Sequence, residues 1–170
     1  TRNSGRSPEE VRLLAVSKTW PAASVRMAAE AGQKAFGENY VQEGVDKIRE
    51  VGLSDLEWHF IGPLQSNKTR LVAEAFHWVH SVDRLKIAER LSEQRPESMS
   101  PLQVCLQVNV SNEDTKNGVP VDDVLPLARQ VARLPRLKLR GLMAIPAVET
   151  DFALQRLPFR RLREALEHLR

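Results

Sequence analysis

The sequence predicts an α/β fold built on a parallel β-sheet, and three observations support this class. Short apolar segments alternate with amphipathic helical patterns along the 170 residues, which is the order of elements in parallel-sheet proteins. The apolar segments are continuous, as expected for strands that are buried on both faces. The composition, with 42% hydrophobic and 28% charged residues, is typical of a soluble globular domain.

Six apolar segments are the predicted strands. They comprise residues 13–17, 34–37, 58–62, 78–82, 102–110 and 138–145. A helical pattern that starts with a proline covers residues 21–32, and four further apolar stripes have helical spacing. These stripes begin at Val41, Leu85, Val121 and Phe152. The chain thus contains six predicted βα units.

The number of units leaves two architectures open. A closed β/α barrel has eight units, whereas six units on their own form an open sheet. The sequence ends at Arg170 inside a helical pattern, without a residue that would cap the helix. Either the sheet is open, or the last two units of a barrel are absent from the sequence.

The composition argues against several functional classes. No apolar run approaches the length of a membrane span, and the first residues lack the apolar core of a secretory signal. The single cysteine, Cys105, cannot form an internal disulfide, which favours a cytoplasmic location. We expect no metal, because Cys and His do not occur at metal-ligand spacings. The net charge of +3 is too small to predict nucleic-acid binding by itself.

Lys18 is the most informative single residue, because it directly follows the first predicted strand. Parallel β/α folds build their sites at the carboxyl ends of the strands. An amine that is partly removed from water there can lose its proton near neutral pH and attack an aldehyde. A lone lysine after a strand is more often a solvated loop residue, so its position alone leaves the role open.

Polar residues also lie at or near the ends of other strands, and each has a structural alternative. Asn39 could cap the helix that begins beside it, and His59 could be a hydrogen-bonded core histidine. Asn109 could form a turn, and Lys116 could point to water. Composition and spacing therefore predict a polar mouth at the strand ends without choosing a ligand.

Five segments together resemble one family. They are Ala-Val-Ser-Lys-Thr at 15–19, Phe-Gly-Glu-Asn-Tyr-Val-Gln-Glu at 36–43, Trp-His-Phe-Ile-Gly-Pro-Leu-Gln-Ser-Asn-Lys at 58–68, His-Ser-Val-Asp-Arg at 80–84 and Arg-Gly-Leu-Met-Ala-Ile-Pro at 140–146. Their order and content resemble the YggS/PROSC family of pyridoxal phosphate homeostasis proteins. The resemblance covers nearly the whole chain.

The resemblance implies a fold, a cofactor and a set of site residues. The fold is a TIM-type (β/α)8 barrel like the N-terminal domain of alanine racemase, so we expect residues 1–170 to be one domain that is incomplete at both ends. The cofactor is pyridoxal 5'-phosphate (PLP), held as a Schiff base by Lys18 and flanked by Asn39. Further residues implied to line the same mouth are His59, Ser81, Asn109 and Met143. Lys116 is implied as a secondary amine for cofactor exchange.

One feature favours a PLP carrier over a catalyst. A racemase needs two bases, and the only tyrosine, Tyr40, lies at the start of a helix, where it is a poor second base. The chain also departs from the family, because Trp20 stands where members usually carry a second basic residue two places after the lysine, which argues against cofactor transfer through an amine at that position. We expect a monomer that takes part in PLP homeostasis, with apo-enzymes that use PLP as its partners. The alternatives are a PLP-dependent amino-acid racemase and a nucleic-acid-binding domain that uses basic residues 133–140.

Overall fold

The computed structural model describes residues 4–111 and 117–169. Seven strands are all paired in parallel, with β1 to β5 adjacent in chain order and both β6 and β7 paired with β5. The strands are β1 (Ala15–Val16), β2 (Ala35–Glu38), β3 (Glu57–Phe60), β4 (Trp78–Val82), β5 (Leu102–Asn109), β6 (Val119–Pro120) and β7 (Leu137–Met143). The helices are α1 (Ala22–Glu30), α2 (Val41–Val51), α3 (Thr69–Ala75), α4 (Leu85–Gln94), α5 (Val124–Val131) and α6 (Phe152–Glu167).

The helices form one layer on one face of the sheet. Consecutive helices from α1 to α5 contact one another in a row, which is the arrangement of a barrel wall and not of a doubly wound sheet. Along β5, the side chains of Leu102, Val104, Leu106 and Val108 are buried toward this layer. The alternate residues Gln103 and Cys105 are only half-buried, on the opposite face.

We call the helix-free side of the sheet the inner face. It carries more polar side chains than strands buried on both faces would, which corrects the expectation from the continuous apolar segments. The reason is that β3 and β5 place their largest apolar side chains, such as Trp58, Phe60 and Leu106, toward the helices. Within the described residues β1 and β7 do not pair, so the sheet is not closed there.

All six predicted strands are present, and two elements were not predicted. Helix α3 has only seven residues and no side-chain cap, so its apolar positions are too few to show a helical period. Strand β6 has two residues and pairs only with the end of β5. Segments this short cannot be predicted from hydrophobic periodicity.

One buried arginine fixes the connection between α4 and β5. Arg95 is 3% exposed and follows the last residue of α4. Its guanidinium group donates to three backbone carbonyl groups, those of Ala73, Phe76 and Ser100, at 2.6, 2.7 and 2.9 Å. The end of α3 and the polar segment after α4 are thereby joined. Among the described residues, no helix is both long enough and apolar enough to cross a membrane.

Candidate functional site at the carboxyl ends of the strands

The strand ends bring the predicted site residues to one edge of the sheet. Lys18 follows β1 and is exposed, and Asn39 follows β2 and is half-buried. Asn109 ends β5, and Met143 ends β7 where it pairs with Gln107 in register. Because all these strands run parallel, their ends share one edge. The geometry is that of a mouth formed by several loops.

Ser81 is the second-last residue of β4 and lies within an irregularity of that strand. Val79 pairs with Val104 and Val82 with Leu106, so three steps along β4 match two along β5. Such a bulge frees a residue from the strict alternation of strand side chains. Ser81 is 4% exposed, and its neighbour Val79 is completely buried toward the helices.

Among the buried polar atoms near the carboxyl ends of the strands that have no hydrogen-bond partner within the described residues, two belong to predicted site residues. They are Oδ1 of Asn39 and Oγ of Ser81. A buried polar atom without a partner costs about 1–3 kcal/mol, so such atoms usually receive one from water or a ligand. A hydroxyl group on the PLP ring could donate to Oδ1 of Asn39, and oxygen atoms of the cofactor could accept from the hydroxyl of Ser81. The chemistry of the residues present therefore fits the cofactor that the sequence resemblance implies.

A groove of about 340 Å³ lies beside Asn39, between the loops that follow β2 and β3. Tyr40, Pro63, Gln65 and Lys68 contribute to its lining. The two loops touch closely, since a Cβ atom on Gly62 would lie 2.0 Å from the carbonyl oxygen of Asn39. A glycine is thus required where the β3 loop packs against the backbone of Asn39.

His59 lies on the inner face, and both of its ring nitrogens have protein partners. Nδ1 is 2.8 Å from Nε2 of His80, and Nε2 is 2.9 Å from Oε1 of Glu57. The ring also stacks on Trp78, with a centroid distance of 5.3 Å. Burial lowers the pKa of His59 to about 4, and it also lowers the pKa of His80. This is the environment of a neutral core histidine, and its role toward a cofactor stays a prediction.

Lys116 lies outside the described residues. The segment that follows it packs closely on β5, since a Cβ on Gly118 would lie 2.6 Å from the backbone nitrogen of Asn109. Gln107, which is 9% exposed, donates to the carbonyl of Asn117 at 3.3 Å. Asn117 and Gly118 therefore lie against the end of that strand.

Sequence reasoning gave no role to three charged residues beside Lys18. Glu38, Glu43 and Lys47 contact the backbone or side chains of the residues on either side of the lysine. Glu43 and Lys47 are four residues apart on α2, a spacing that usually indicates an exposed helix pair. Only the packing of α2 against β2 shows that Lys47 is buried.

The fold and this strand-end site define a class of protein. A sequence model of the alanine racemase N-terminal domain family matches residues 2–170. Alanine racemase from E. faecalis superposes with a TM-score of 0.77 and 20% identity, over 99% of this chain and 47% of the racemase. At that identity the likeness shows the fold alone, a parallel β/α domain of the alanine racemase N-terminal type.

More similar relatives narrow the class. A pyridoxal phosphate homeostasis protein of Escherichia coli K12 is 61% identical over 154 residues, which are 89% of this chain and 66% of that protein. The pyridoxal phosphate homeostasis protein of Pseudomonas aeruginosa is 60% identical over 162 residues, 95% of this chain and 70% of that protein. The chain belongs to this family of pyridoxal phosphate homeostasis proteins, and it spans about two thirds of the length of these curated relatives.

A solved structure of the family has been described with its cofactor. PipY of Synechococcus elongatus with PLP bound superposes with a TM-score of 0.87 and 38% identity, over 99% of this chain and 78% of that chain. PipY without PLP superposes with a TM-score of 0.88 and 40% identity, over 99% of this chain and 79% of that one.

Proposed function

We propose that this protein binds PLP at the strand-end mouth, holds it through Lys18 and takes part in intracellular PLP homeostasis. One observation carries the proposal. An exposed lysine after β1 shares the sheet edge with two buried polar atoms that lack partners among the described residues, on Asn39 and Ser81. The relative PipY, described with PLP bound, supports the choice of ligand.

Each residue would have a separate task. When bound, PLP supplies an aldehyde that condenses with a primary amine and releases water. Lys18 provides that amine, and Asn39 and Ser81 provide an amide and a hydroxyl group for polar atoms of the ligand. Asn109, Met143 and His59 would line the remaining wall of the mouth. Lys116 would provide a second amine for exchange of the cofactor. These four assignments rest on the family resemblance.

The carrier role is favoured over catalysis because the chain's one tyrosine is not placed as a second base within the described residues. Tyr40 directly precedes α2 and is 58% exposed. A base that is open to solvent is poorly placed to remove a proton opposite Lys18. The shared racemase fold supports the alternative, a PLP-dependent amino-acid racemase. Incorporation of solvent deuterium into alanine at enzyme-like rates would favour that alternative.

We further propose how the whole protein works in the cell. Residues 1–170 would be part of a single barrel domain, and the protein would act as a cytoplasmic monomer. Apo-enzymes that require PLP would be its partners. Gel filtration of the protein with and without PLP tests the monomer, and a dimer in both states would contradict it.

The defining experiment is chemical trapping of the lysine. The protein is mixed with PLP and reduced with borohydride, and its peptides are mapped by mass spectrometry. We expect one pyridoxyl adduct on Lys18, absent from Lys18→Ala and retained in Lys86→Ala, where the lysine lies exposed on α4. Lys18→Arg keeps the charge without the nucleophile and should also give no adduct. Equal adducts on several exposed lysines would show unspecific reaction and contradict the proposal.

A further inference from the structure

We propose that Glu38, Glu43 and Lys47 form a clamp that fixes the backbone on both sides of Lys18 and so positions its amine. The three residues are named the clamp below. The inference rests on the proposed role of Lys18, and it assigns positioning residues that the family resemblance did not provide.

Lys47 is the centre of the clamp, and all three of its ammonium protons are used. Nζ lies 2.6 Å from the carbonyl oxygen of Ser17, 2.7 Å from Oε1 of Glu38 and 2.9 Å from Oε1 of Glu43. The side chain of Lys47 is only 5% exposed, and that of Glu38 is completely buried. Lys47 is therefore a fully satisfied internal cation that reaches from α2 to the end of β1.

The clamp holds the residue before Lys18 through two groups. The hydroxyl of Ser17 donates to Oε1 of Glu38 at 2.6 Å, and its carbonyl accepts from Lys47. Ser17 is 5% exposed and also donates its backbone N–H to the carbonyl of Gly37 at 2.9 Å. Both the side chain and the backbone of Ser17 are thus fixed against β2 and α2.

The clamp also holds the residue after Lys18. The backbone N–H of Thr19 donates to Oε1 of Glu43 at 2.6 Å. Thr19 has a φ angle of 66°, in the left-handed region that a β-branched residue seldom adopts. Such a conformation persists only where surrounding contacts impose it. Two contacts do so here, the hydrogen bond from Thr19 to the Glu43 carboxylate and the turn hydrogen bond from the Trp20 N–H to the Ser17 carbonyl at 3.1 Å.

The Lys18 side chain itself is exposed and has no hydrogen bond or ion pair within the described part of the chain. The clamp fixes the backbone at Ser17 and Thr19 and so fixes the point from which the Lys18 side chain extends. The amine is thereby kept at the edge of the sheet and is free to react. That combination suits a nucleophile which must meet an aldehyde in one direction.

The packing of α2 is adapted to the clamp. A Cβ on Gly44 would lie 2.7 Å from Cζ of Phe76 and 3.1 Å from Cβ of Glu38. Because Gly44 lacks a side chain, α2 approaches β2 closely enough for Lys47 to reach Glu38. The hydrogen bond from Lys47 also lowers the pKa of Glu43, so this carboxylate is ionised near neutral pH.

A buried ion pair is weak evidence for a purely stabilising role. Replacing such a pair by apolar residues of similar size is often neutral or stabilising. This ion pair, in contrast, contacts both neighbours of one exposed lysine, so it can fix the backbone from which that lysine extends. This is why we assign positioning to the clamp.

Two variants of Glu43 separate its acceptor from its charge. Glu43→Gln retains an oxygen that can accept from Thr19, and Glu43→Ala removes the acceptor. Glu50→Ala is the matched control, since Glu50 is an exposed acid on the same helix. The ligand-free readout is amide hydrogen exchange at Thr19, and the second readout is the rate of borohydride-trapped PLP adduct at Lys18.

We expect Glu43→Ala to speed exchange at Thr19 by about tenfold or more, as loss of a hydrogen bond to a charged acceptor implies. The rate of adduct trapping at Lys18 should also fall about tenfold, because loss of the same hydrogen bond loosens the backbone around Lys18. Glu43→Gln should stay closer to the wild type in both readouts, and Glu50→Ala should match it.

Faster exchange at Thr19 with unchanged trapping at Lys18 would overturn the proposal, because the loop would then not position the amine. Unchanged exchange in Glu43→Ala would overturn it as well. If the wild type formed no adduct, the proposed PLP function would be wrong, and faster exchange in Glu43→Ala would still support the clamp as the device that orders this loop.

Discussion

Substitution of Lys47 by methionine would leave the Glu38 carboxylate buried without its cation. Glu38 is completely buried, and Lys47 is its ion-pair partner at 2.7 Å. Removing one partner of a buried ion pair costs about 3–5 kcal/mol, because the remaining charge loses its compensation. Ser17 still donates to Glu38, and Glu43 is partly exposed to water, so we place the cost near the lower limit, at about 3 kcal/mol. For a domain of this size that is a large part of the total stability.

The assay is equilibrium unfolding of the ligand-free protein in urea, with Lys86→Met as the control for loss of an exposed lysine. The double variant Lys47→Met/Glu38→Gln tests the reason, because removal of both charges should recover part of the loss. A loss below about 1 kcal/mol in Lys47→Met would refute the reasoning, since it would mean that Glu38 becomes solvated or protonated in the variant. A double variant less stable than Lys47→Met would refute it in a different way, by showing that the charges do not compensate each other.

Three further predictions test other parts of the structure. Gly62→Ala should separate the loops after β2 and β3 and weaken PLP binding, measured by titration, because its Cβ would clash with the backbone of Asn39. The folded pKa of His59, about 4, lies below its ordinary value of 6.5, so only the unfolded state takes up this proton between those values and stability falls as the pH falls. The free energy of unfolding should fall by up to about 1.4 kcal/mol per pH unit in this range. His59→Gln should reduce this pH dependence, measured by urea unfolding at pH 7 and pH 5, and the control His168→Gln should leave it unchanged. Arg95→Met should cost about 2–4 kcal/mol, since three carbonyl groups lose a charged donor, and a loss below about 1 kcal/mol would mean that water replaces it.

Much of the fold could be predicted from the sequence, because long apolar segments and helical stripes carry a strong periodic signal. The count of six βα units agrees with the structure. The side of the sheet on which the helices lie could not be predicted in this way. An apolar strand such as Val104 to Val108 looks continuous in sequence, although Cys105 and Gln107 face away from the helices. Helix placement depends on the handedness and order of the connections and not on local composition.

The site could be predicted where it depends on strand ends. Lys18 and Asn39 follow strands, and parallel topology then places them together. The clamp could not be predicted, since Ser17 and Lys47 are separated by 30 positions in sequence and meet only through packing of α2 on β2. The hydrogen-bond partners of His59 could not be predicted from the sequence either. Two histidines 21 positions apart give no sequence signal until the register of β3 and β4 is known.

The way in which Lys18 is held bears on the choice between carrier and catalyst. An enzyme that moves a proton needs acid and base groups fixed around the reacting atom. Here the charged groups that α2 places beside Lys18 contact the backbone at Ser17 and Thr19, and the amine is left to solvent. An exposed amine on an ordered backbone can form and release a bond to an aldehyde without a second base, since water supplies and removes the protons. Reversible storage requires no more than this. The clamp and the exposed lysine therefore support the proposed carrier role over the racemase alternative.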